Sequence, residues 1–269
     1  MSATDAVFKG SIPALYEQYL GPLKFEPFAE DLAERLTDLT RGHILETAAG
    51  TGIVTRALAK TLPPQVEITA TDLNQAMLDH AQSRLRAPNV RWLQADAQAL
   101  PFDNGSFDAV VCQFGVMFFP DKLSGYREAL RVLKPGGRFL FNVWNALDFN
   151  PVSRIVSETV AKAFPDDPPR FIERVPFGYF DPDRIRGEVQ QAGFENVDVS
   201  VVDKISHAPS TREPAIGLCQ GTPLRAEIEA RAPGRLEEIT ARAMEALAGH
   251  FGSSTVENRM SAVVVTAWR

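Results

Sequence analysis

The stretch from His43 to Ala59, HILETAAGTGIVTRALA, constrains the fold more than any other part of the chain. Its apolar start predicts a short buried strand, and the helical spacing of apolar residues from Ile53 onward predicts a helix. Between them, Gly50 and Gly52 permit positive φ and let a ligand come close to the backbone. The turn therefore lies at a helix N-terminus, where unpaired N–H groups and the positive end of the helix dipole favour an anionic group.

A second strand is predicted from Val66 to Thr71, and Asp72 ends it. An acidic residue about 20 positions after the glycines is placed to accept hydrogen bonds from the two ribose hydroxyls of an adenosine-type cofactor. A glycine turn alone is equally consistent with an ordinary tight connection between a strand and a helix. The turn and Asp72 together predict a site for a nucleoside-containing cofactor.

The turn departs from the dinucleotide-binding fingerprint GxGxxG, because Thr55 stands at the third glycine position. Glu46 precedes the turn, where its charge would oppose a pyrophosphate but could pair with an ammonium group. The ExxxGxG arrangement is followed by DLNQAML at 72–78, ADAQALPF at 95–102 and LKPGG at 133–137. These four motifs, in this order, resemble those of the class I S-adenosylmethionine-dependent methyltransferases.

The resemblance covers residues 16–206 and is strongest to the small-molecule group, which includes the type 11 and ubiquinone/menaquinone-biosynthesis-like enzymes. It implies a single α/β domain over residues 1–269, with a doubly wound, seven-stranded, mostly parallel Rossmann-like sheet and a helical cap. MSAVVVTAW at 260–268 would be the antiparallel last strand, inserted between strands five and six. The expected parts are an N-terminal helical lid at 1–41, a cofactor-binding core at 42–143, and cap insertions at 144–180 and 207–258.

The cofactor implied by the resemblance is S-adenosylmethionine. Asp72 would hold its ribose, and Asp96 and the backbone N–H of Ala97 would hold its adenine. Leu73 and Met77 would flank the adenine ring, although a methionine on an apolar helix face is more often plain core. The full set of expected cofactor contacts is Tyr19, Glu46, Ala48, Gly50, Gly52, Asp72, Leu73, Met77, Asp96, Ala97 and Gln113.

For Tyr19 and Ala48, the sequence limits how firmly a cofactor contact is predicted. Tyr19, with Tyr16 as the other candidate, would lie near the methionine part, but packing of the helix on the sheet explains a tyrosine there equally well. Ala48 stands where the family usually has glycine. Because alanine is small, we expect reduced space at the methionine end of the site rather than lost binding.

The chemistry of methyl transfer requires no nucleophilic side chain, because positioning two reactants together can supply much of the acceleration. We therefore assign no catalytic residue. Phe114, Met117 and Phe118 would line an acceptor pocket or pack in the core. The histidines are individually more consistent with surface or structural roles; they are His43, His80, His207 and His250.

Composition limits the partners. The net charge of −6 disfavours a broad surface for nucleic acid or anionic membranes, so a small-molecule methyl acceptor is expected. Cys112 and Cys219 are the only cysteines and are expected to be reduced thiols. No HxxxH spacing or cysteine pair predicts a metal, and no leader or membrane span is recognisable. We expect a cytoplasmic monomer or homodimer.

Two other functions remain open at this level. A NAD(P)-dependent oxidoreductase would use the same type of turn, but Thr55 and the lack of a Tyr-x-x-x-Lys pair at Tyr126 weaken that interpretation. A non-catalytic S-adenosylmethionine-binding module would keep the fold without turnover, and Ala48 gives this alternative some weight.

Overall fold

A computed structural model of the chain describes residues 12–269, so the first eleven residues of the predicted lid lie outside the described residues. The described residues form two compact units. The sheet unit comprises Phe28–Trp144, Phe180–Val202 and Ala262–Arg269. The helical unit comprises the described residues up to Pro27, together with Asn145–Tyr179 and Asp203–Ser261.

A seven-stranded sheet carries the fold. Its strands are β1 (Gly42–Glu46), β2 (Val66–Asp72), β3 (Val90–Gln94), β4 (Phe107–Gln113), β5 (Leu133–Trp144), β6 (Asn196–Ala208) and β7 (Val256–Trp268). The strand order is β3-β2-β1-β4-β5-β7-β6. Neighbours from β3 to β5 pair in parallel, whereas β7 pairs with β5 in antiparallel. The predicted fold class, including the antiparallel last strand between strands five and six, is confirmed.

Helices connect the strands. They are α1 (Ile12–Leu15), a π-helix (Tyr16–Phe25), α2 (Glu26–Glu34), α3 (Ile53–Thr61), α4 (Gln75–Arg84), α5 (Lys122–Val132), α6 (Pro151–Lys162), α7 (Phe171–Arg174), α8 (Pro182–Gln191), α9 (Arg212–Gln220), α10 (Leu224–Arg231) and α11 (Leu236–Phe251). Asp181 caps the N-terminus of α8, where its side chain accepts hydrogen bonds from the N–H groups of Asp183 and Arg184. Among the helices of residues 12–269, none combines the length and apolar character that a membrane crossing requires.

The central strands form the core of the sheet unit. Ile44 and Leu45 of β1 have no exposed surface, and neither do Ala109 to Cys112 of β4. A parallel strand covered on both faces needs apolar residues at every position rather than at alternate positions. This burial fixes the ends of β1 and β4, from which the loops of the candidate site depart.

Two local predictions differ from the structure. Gly21, Pro22 and Pro27 predict a break in the N-terminal helices, but the chain continues there as a π-helix that runs directly into α2, and Glu26 N–H donates to the Gly21 carbonyl. Pro135, Gly136 and Gly137 predict a turn into the fifth strand, but residues 134–137 form a bulge inside β5. Phe107 pairs with Leu133 and Ala109 pairs with Arg138, so the extra residues of β5 loop out of the ladder between these two pairs.

Candidate cofactor site

The loop after β1 is held between two neighbouring strands. Thr47 N–H donates to the Val111 carbonyl of β4 at 2.9 Å, and Ala49 N–H donates to the Thr71 carbonyl of β2 at 2.9 Å. These bonds hold the start of the loop to both neighbouring strands just beyond the end of β1. The loop therefore begins at the carboxyl edge of the sheet, where open α/β sheets bind their ligands.

The two glycines of this loop have different reasons to be glycine. Gly50 and Gly52 both have positive φ, 56° and 78°. A Cβ atom on Gly52 would lie 2.8 Å from the Trp92 ring and 3.0 Å from the Ala81 side chain, so close packing excludes a larger residue. A Cβ atom on Gly50 would have no neighbour within 4 Å. Gly50 thus leaves the backbone open to a ligand, whereas Gly52 joins the loop to the core.

Asp72 closes β2 directly beside this loop. Its side chain is 7% exposed, Oδ2 accepts from Gly50 N–H at 2.8 Å, and Oδ1 accepts from Asn74 N–H at 2.8 Å. Burial raises the pKa of the Asp72 carboxyl, against the hydrogen bonds from Asn74 and Gly50, which lower it. The carboxylate is therefore fixed in orientation by two backbone donors.

Glu46 ends β1 beneath the same loop and is 1% exposed. Its Oε2 accepts a hydrogen bond of 2.6 Å from the Thr55 hydroxyl. The pKa of Glu46 is raised to about 8, chiefly by burial; the hydrogen bond from Thr55 lowers it and the negative charge of Asp72 raises it. Thr55, which breaks the dinucleotide fingerprint, thus serves as a donor to the buried carboxyl.

Ala48 adopts φ of 53°, a left-handed conformation that is unfavourable for alanine. The position that the family fills with glycine therefore keeps the glycine-type backbone in this chain. A Cβ atom on Gly115, after β4, would lie only 2.6 Å from the Ala48 Cβ atom. The alanine methyl group therefore lies beside Gly115 in the loop after β4, while the reduced space at the methionine end stays a prediction.

The predicted adenine contacts differ in accessibility. Leu73 is 54% exposed, but Met77 is only 4% exposed and packs within the core of the sheet unit. Asp96 is exposed, and its Oδ1 accepts from Gln98 N–H at 2.8 Å; Ala97 is half-buried. Ala95 N–H donates to the Asp72 carbonyl at 3.1 Å, which brings the end of β3 against the end of β2.

The end of β4 carries Gln113, which is half-buried, and the chain then turns sharply at Phe114, whose φ is 47°. Asn142 of β5 holds this turn, since Phe114 N–H donates to its Oδ1 at 2.9 Å. The Phe114 ring stacks on Trp144 with centroids 3.8 Å apart, and Phe28 packs edge-on against both rings. Positive φ at a bulky residue is rare and is retained where surrounding contacts enforce it.

The structure brings most of the predicted residues to neighbouring strand ends within the sheet unit. Tyr19 is the exception, because it belongs to the π-helix of the helical unit, where it is half-buried. Three residues that hold parts of the site by hydrogen bonds were not predicted from the sequence: Thr55, which bonds Glu46, Asn74, which bonds Asp72, and Asn142, which bonds Phe114. A polar residue inside the apolar run FLFNVW was the available signal for Asn142.

Two nearly buried carboxyl groups and an open stretch of backbone favour a ligand with both hydrogen-bond donors and a positive charge. A ribose with two hydroxyls and an amino acid ammonium offer this combination, whereas a pyrophosphate brings neither a hydrogen-bond donor nor a positive charge. The geometry therefore favours a nucleoside with a cationic tail.

Comparison with known proteins indicates a methyltransferase. Residues 44–137 match the family model described as a methyltransferase domain. A ubiquinone/menaquinone biosynthesis C-methyltransferase, UbiE, of Klebsiella pneumoniae is 33% identical over 170 residues, which cover 58% of this chain and 67% of the relative. UbiE of Idiomarina loihiensis is 39% identical over 120 residues, covering 43% of this chain and 46% of the relative.

Solved structures share the fold at lower identity. A phosphoethanolamine N-methyltransferase 2 from Haemonchus contortus, in complex with S-adenosyl-L-methionine, has a TM-score of 0.59 and 17% identity, covering 95% of this chain and 56% of that one. A methyltransferase from Bacillus halodurans has a TM-score of 0.56 and 19% identity, covering 89% and 97%. The strand order, the site and these relatives agree: the chain belongs to the class I S-adenosylmethionine-dependent methyltransferases.

Proposed function

We propose that S-adenosylmethionine lies over the loop from Glu46 to Gly52, with its ribose hydroxyls on Asp72 and its ammonium group on Glu46. The observation that carries this proposal is the 2.8 Å bond from Gly50 N–H to Asp72 Oδ2, which joins the open backbone to the acceptor of the ribose. The adenine would lie between Asp96 and Ala97 on one side and Leu73 on the other. Met77 would support the ring from within the core.

At the other end of the cofactor, Gln113 would contact the methionine part, and Ala48 would restrict the space there. The contact with Tyr19, which belongs to the helical unit, stays a prediction. The predicted parts at 1–41, 144–180 and 207–258 would act as lid and cap, and the helical unit contains most of these residues.

The methyl acceptor is a small, hydrophobic or aromatic molecule, and a quinol is the first candidate. Support comes from the UbiE relative, whose name refers to ubiquinone and menaquinone biosynthesis. Phe114 and Met117, considered as pocket residues, are nearly buried in the sheet unit, whereas Phe118 is half-buried. Phe118 is therefore the better candidate for contact with an apolar acceptor.

Bound S-adenosylmethionine supplies a methyl group already activated on a sulfonium. The chain's contribution is to bind and orient. Asp72 fixes the sugar, Glu46 fixes the charged tail, and the clamped turn at Phe114 fixes the loop after β4. Residues that hold the cofactor and the acceptor together would supply much of the acceleration without a covalent intermediate on the protein.

The expected setting is cytoplasmic, with a monomer or homodimer acting on a free small molecule rather than on nucleic acid or a membrane. Support comes from Cys112 and Cys219, which are both buried free thiols, as expected in a reducing compartment. The acidic balance of the chain supports the absence of a nucleic-acid substrate.

Methyl transfer from radiolabelled S-adenosylmethionine tests the acceptor class. The panel contains short-chain benzoquinols and naphthoquinols, phenols, amines and carboxylates. We expect label in a quinol or phenol product. Label only in amines or carboxylates would contradict the acceptor class, and cofactor binding without turnover on any acceptor would favour a non-catalytic binding module.

A further inference from the structure

β6, at the edge of the sheet, exposes both aliphatic and charged side chains. β6 is thirteen residues long and occupies the end of the strand order, next to β7. From Val201 onward, odd-numbered residues are exposed and even-numbered residues are half-buried or buried. Val201 and Ile205 are both 54% exposed. The backbone N–H and C=O groups along the open edge of such a strand can pair with another strand.

The inner face and the inner edge of this strand are already occupied within the helical unit. The Ser206 hydroxyl donates to the Leu23 carbonyl of the π-helix, and it accepts from Asn258 Nδ2 of β7 at 3.3 Å. The strand is thereby fixed on the π-helix and on β7. A new strand would add at the outer edge, beside the exposed row of Asp203, Ile205 and His207.

Symmetry limits how a second copy of β6 can add there. In a twofold antiparallel pair that continues the sheet, residues directly opposite each other have their side chains on the same face. The axis must therefore pass midway between the two copies of one residue, and it is named here by that residue. An axis at Asp203 would place the two Asp203 side chains opposite each other. An axis at Lys204 would do the same with two lysines. Like charges directly opposite are destabilising.

An axis at Ile205 avoids both conflicts. It places Ile205 against Ile205 and, twice, Asp203 of one copy opposite His207 of the other, on the exposed face. Lys204, on the half-buried face, then lies opposite Ser206. This register pairs aliphatic with aliphatic and an acid with a hydrogen-bonding or cationic imidazole. Of the three axes compared, this is the one that places no like charges opposite each other.

We propose that the chain forms a homodimer in which the outer edges of two β6 strands pair in antiparallel about Ile205, through residues 202–208 of each copy. This interface goes beyond the methyl-transfer chemistry and is independent of it. The paired segment is short, and interfaces well below the standard size give weak, reversible association. The dimer is therefore expected to dissociate on dilution.

Analytical ultracentrifugation of the full chain across a dilution series tests the proposal. We expect the mass at high concentration to be twice the monomer mass of 29.6 kDa and to fall on dilution. Asp203→Lys, which faces a lysine towards His207 at both symmetric positions, should abolish the dimer. Asp203→Lys combined with His207→Glu exchanges the two charges and should restore it. Far-UV circular dichroism verifies that each variant is folded.

Asp198→Lys is the matched control, because Asp198 is an exposed acid of the same strand outside the paired segment. This variant should dimerise like the parent. A parent chain that stays monomeric at every concentration would overturn the proposal. A dimer that survives Asp203→Lys, or that the charge exchange does not restore, would refute the register and with it the interface.

Discussion

At the scale of single residues, the site is defined by two carboxyl groups that the fold has removed from water. Burial raises the pKa of both Glu46 and Asp72, although each accepts hydrogen bonds within the protein. Removing a carboxylate from water is unfavourable unless a partner compensates it. A cofactor that brings ribose hydroxyls and an ammonium group supplies such partners, which is why these two residues carry the functional assignment.

Asp72→Ala is expected to weaken binding of S-adenosylhomocysteine by about 1 to 3 kcal/mol, through loss of charge-assisted hydrogen bonds. The substitution also removes the acceptor of Gly50 N–H, which loosens the loop. Isothermal titration calorimetry measures the change. Asp79→Ala, an exposed acid on α4, is the matched control and should bind like the parent. Equal affinity in the parent and Asp72→Ala would refute the ribose assignment.

Glu46 predicts a pH dependence of cofactor binding. Because its pKa is raised to about 8, the carboxyl holds a proton at neutral pH in the unliganded protein and must lose it to pair with an ammonium group. Affinity for S-adenosylhomocysteine should therefore rise between pH 6 and pH 8. Glu46→Gln should bind more weakly at pH 8 and lose most of this slope, as measured by calorimetry at each pH.

The same raised pKa acts in the opposite direction on folding. The folded protein retains a proton that the unfolded chain releases from about pH 4.5 upward, so the free energy of unfolding should fall as pH rises towards 8. Urea denaturation of the unliganded protein measures it. A slope that is unchanged in Glu46→Gln would show that another group is responsible for it.

At the scale of elements, the loop between β1 and α3 connects binding to packing. Gly52 joins the loop to the side chains of Trp92 on β3 and Ala81 on α4, whereas Gly50 faces open space. The loop shape therefore depends on two neighbouring elements as well as on its own glycines. Asn142 serves the corresponding purpose on the other side of β1, where it holds the turn after β4.

Gly52→Ala and Gly50→Ala separate these two effects. Both substitutions place alanine at positive φ, at a cost of about 1 kcal/mol. Gly52→Ala should lose about 1 to 3 kcal/mol more in unfolding free energy, because its methyl group overpacks Trp92 and Ala81. Gly50→Ala should instead chiefly weaken cofactor binding. Chemical denaturation and calorimetry on both variants measure the difference, and equal stability losses would contradict it.

The sequence was sufficient for most elements because their signals are local. The signals for β1, β2 and the glycine turn each depend on neighbouring residues. The π-helix was not predictable from local signals, because Gly21 and Pro22 predict a break in an α-helix. Its hydrogen bonds span one residue more than those of an α-helix, as between Glu26 N–H and the Gly21 carbonyl. The bulge at 134–137 depends on pairing with β4 and left only a turn signal.

At the scale of the whole molecule, family membership determines the class of reaction. The cofactor motifs fall in residues 44–137, which match the methyltransferase family model, so sequence alone identified them. Supporting residues such as Thr55 and Asn142 act across the sequence through contacts formed only in the fold. No motif in the sequence identifies the acceptor, because a fold and its cofactor site do not specify what the chain acts on.

A crystal structure of the chain with S-adenosylhomocysteine tests the central claim most directly. We predict the ribose hydroxyls within hydrogen-bond distance of the Asp72 carboxylate and the amino group beside Glu46. The ligand should lie against the protein backbone at Gly50. Ligand bound elsewhere, or bound at these strand ends with its ribose turned away from Asp72, would contradict the account.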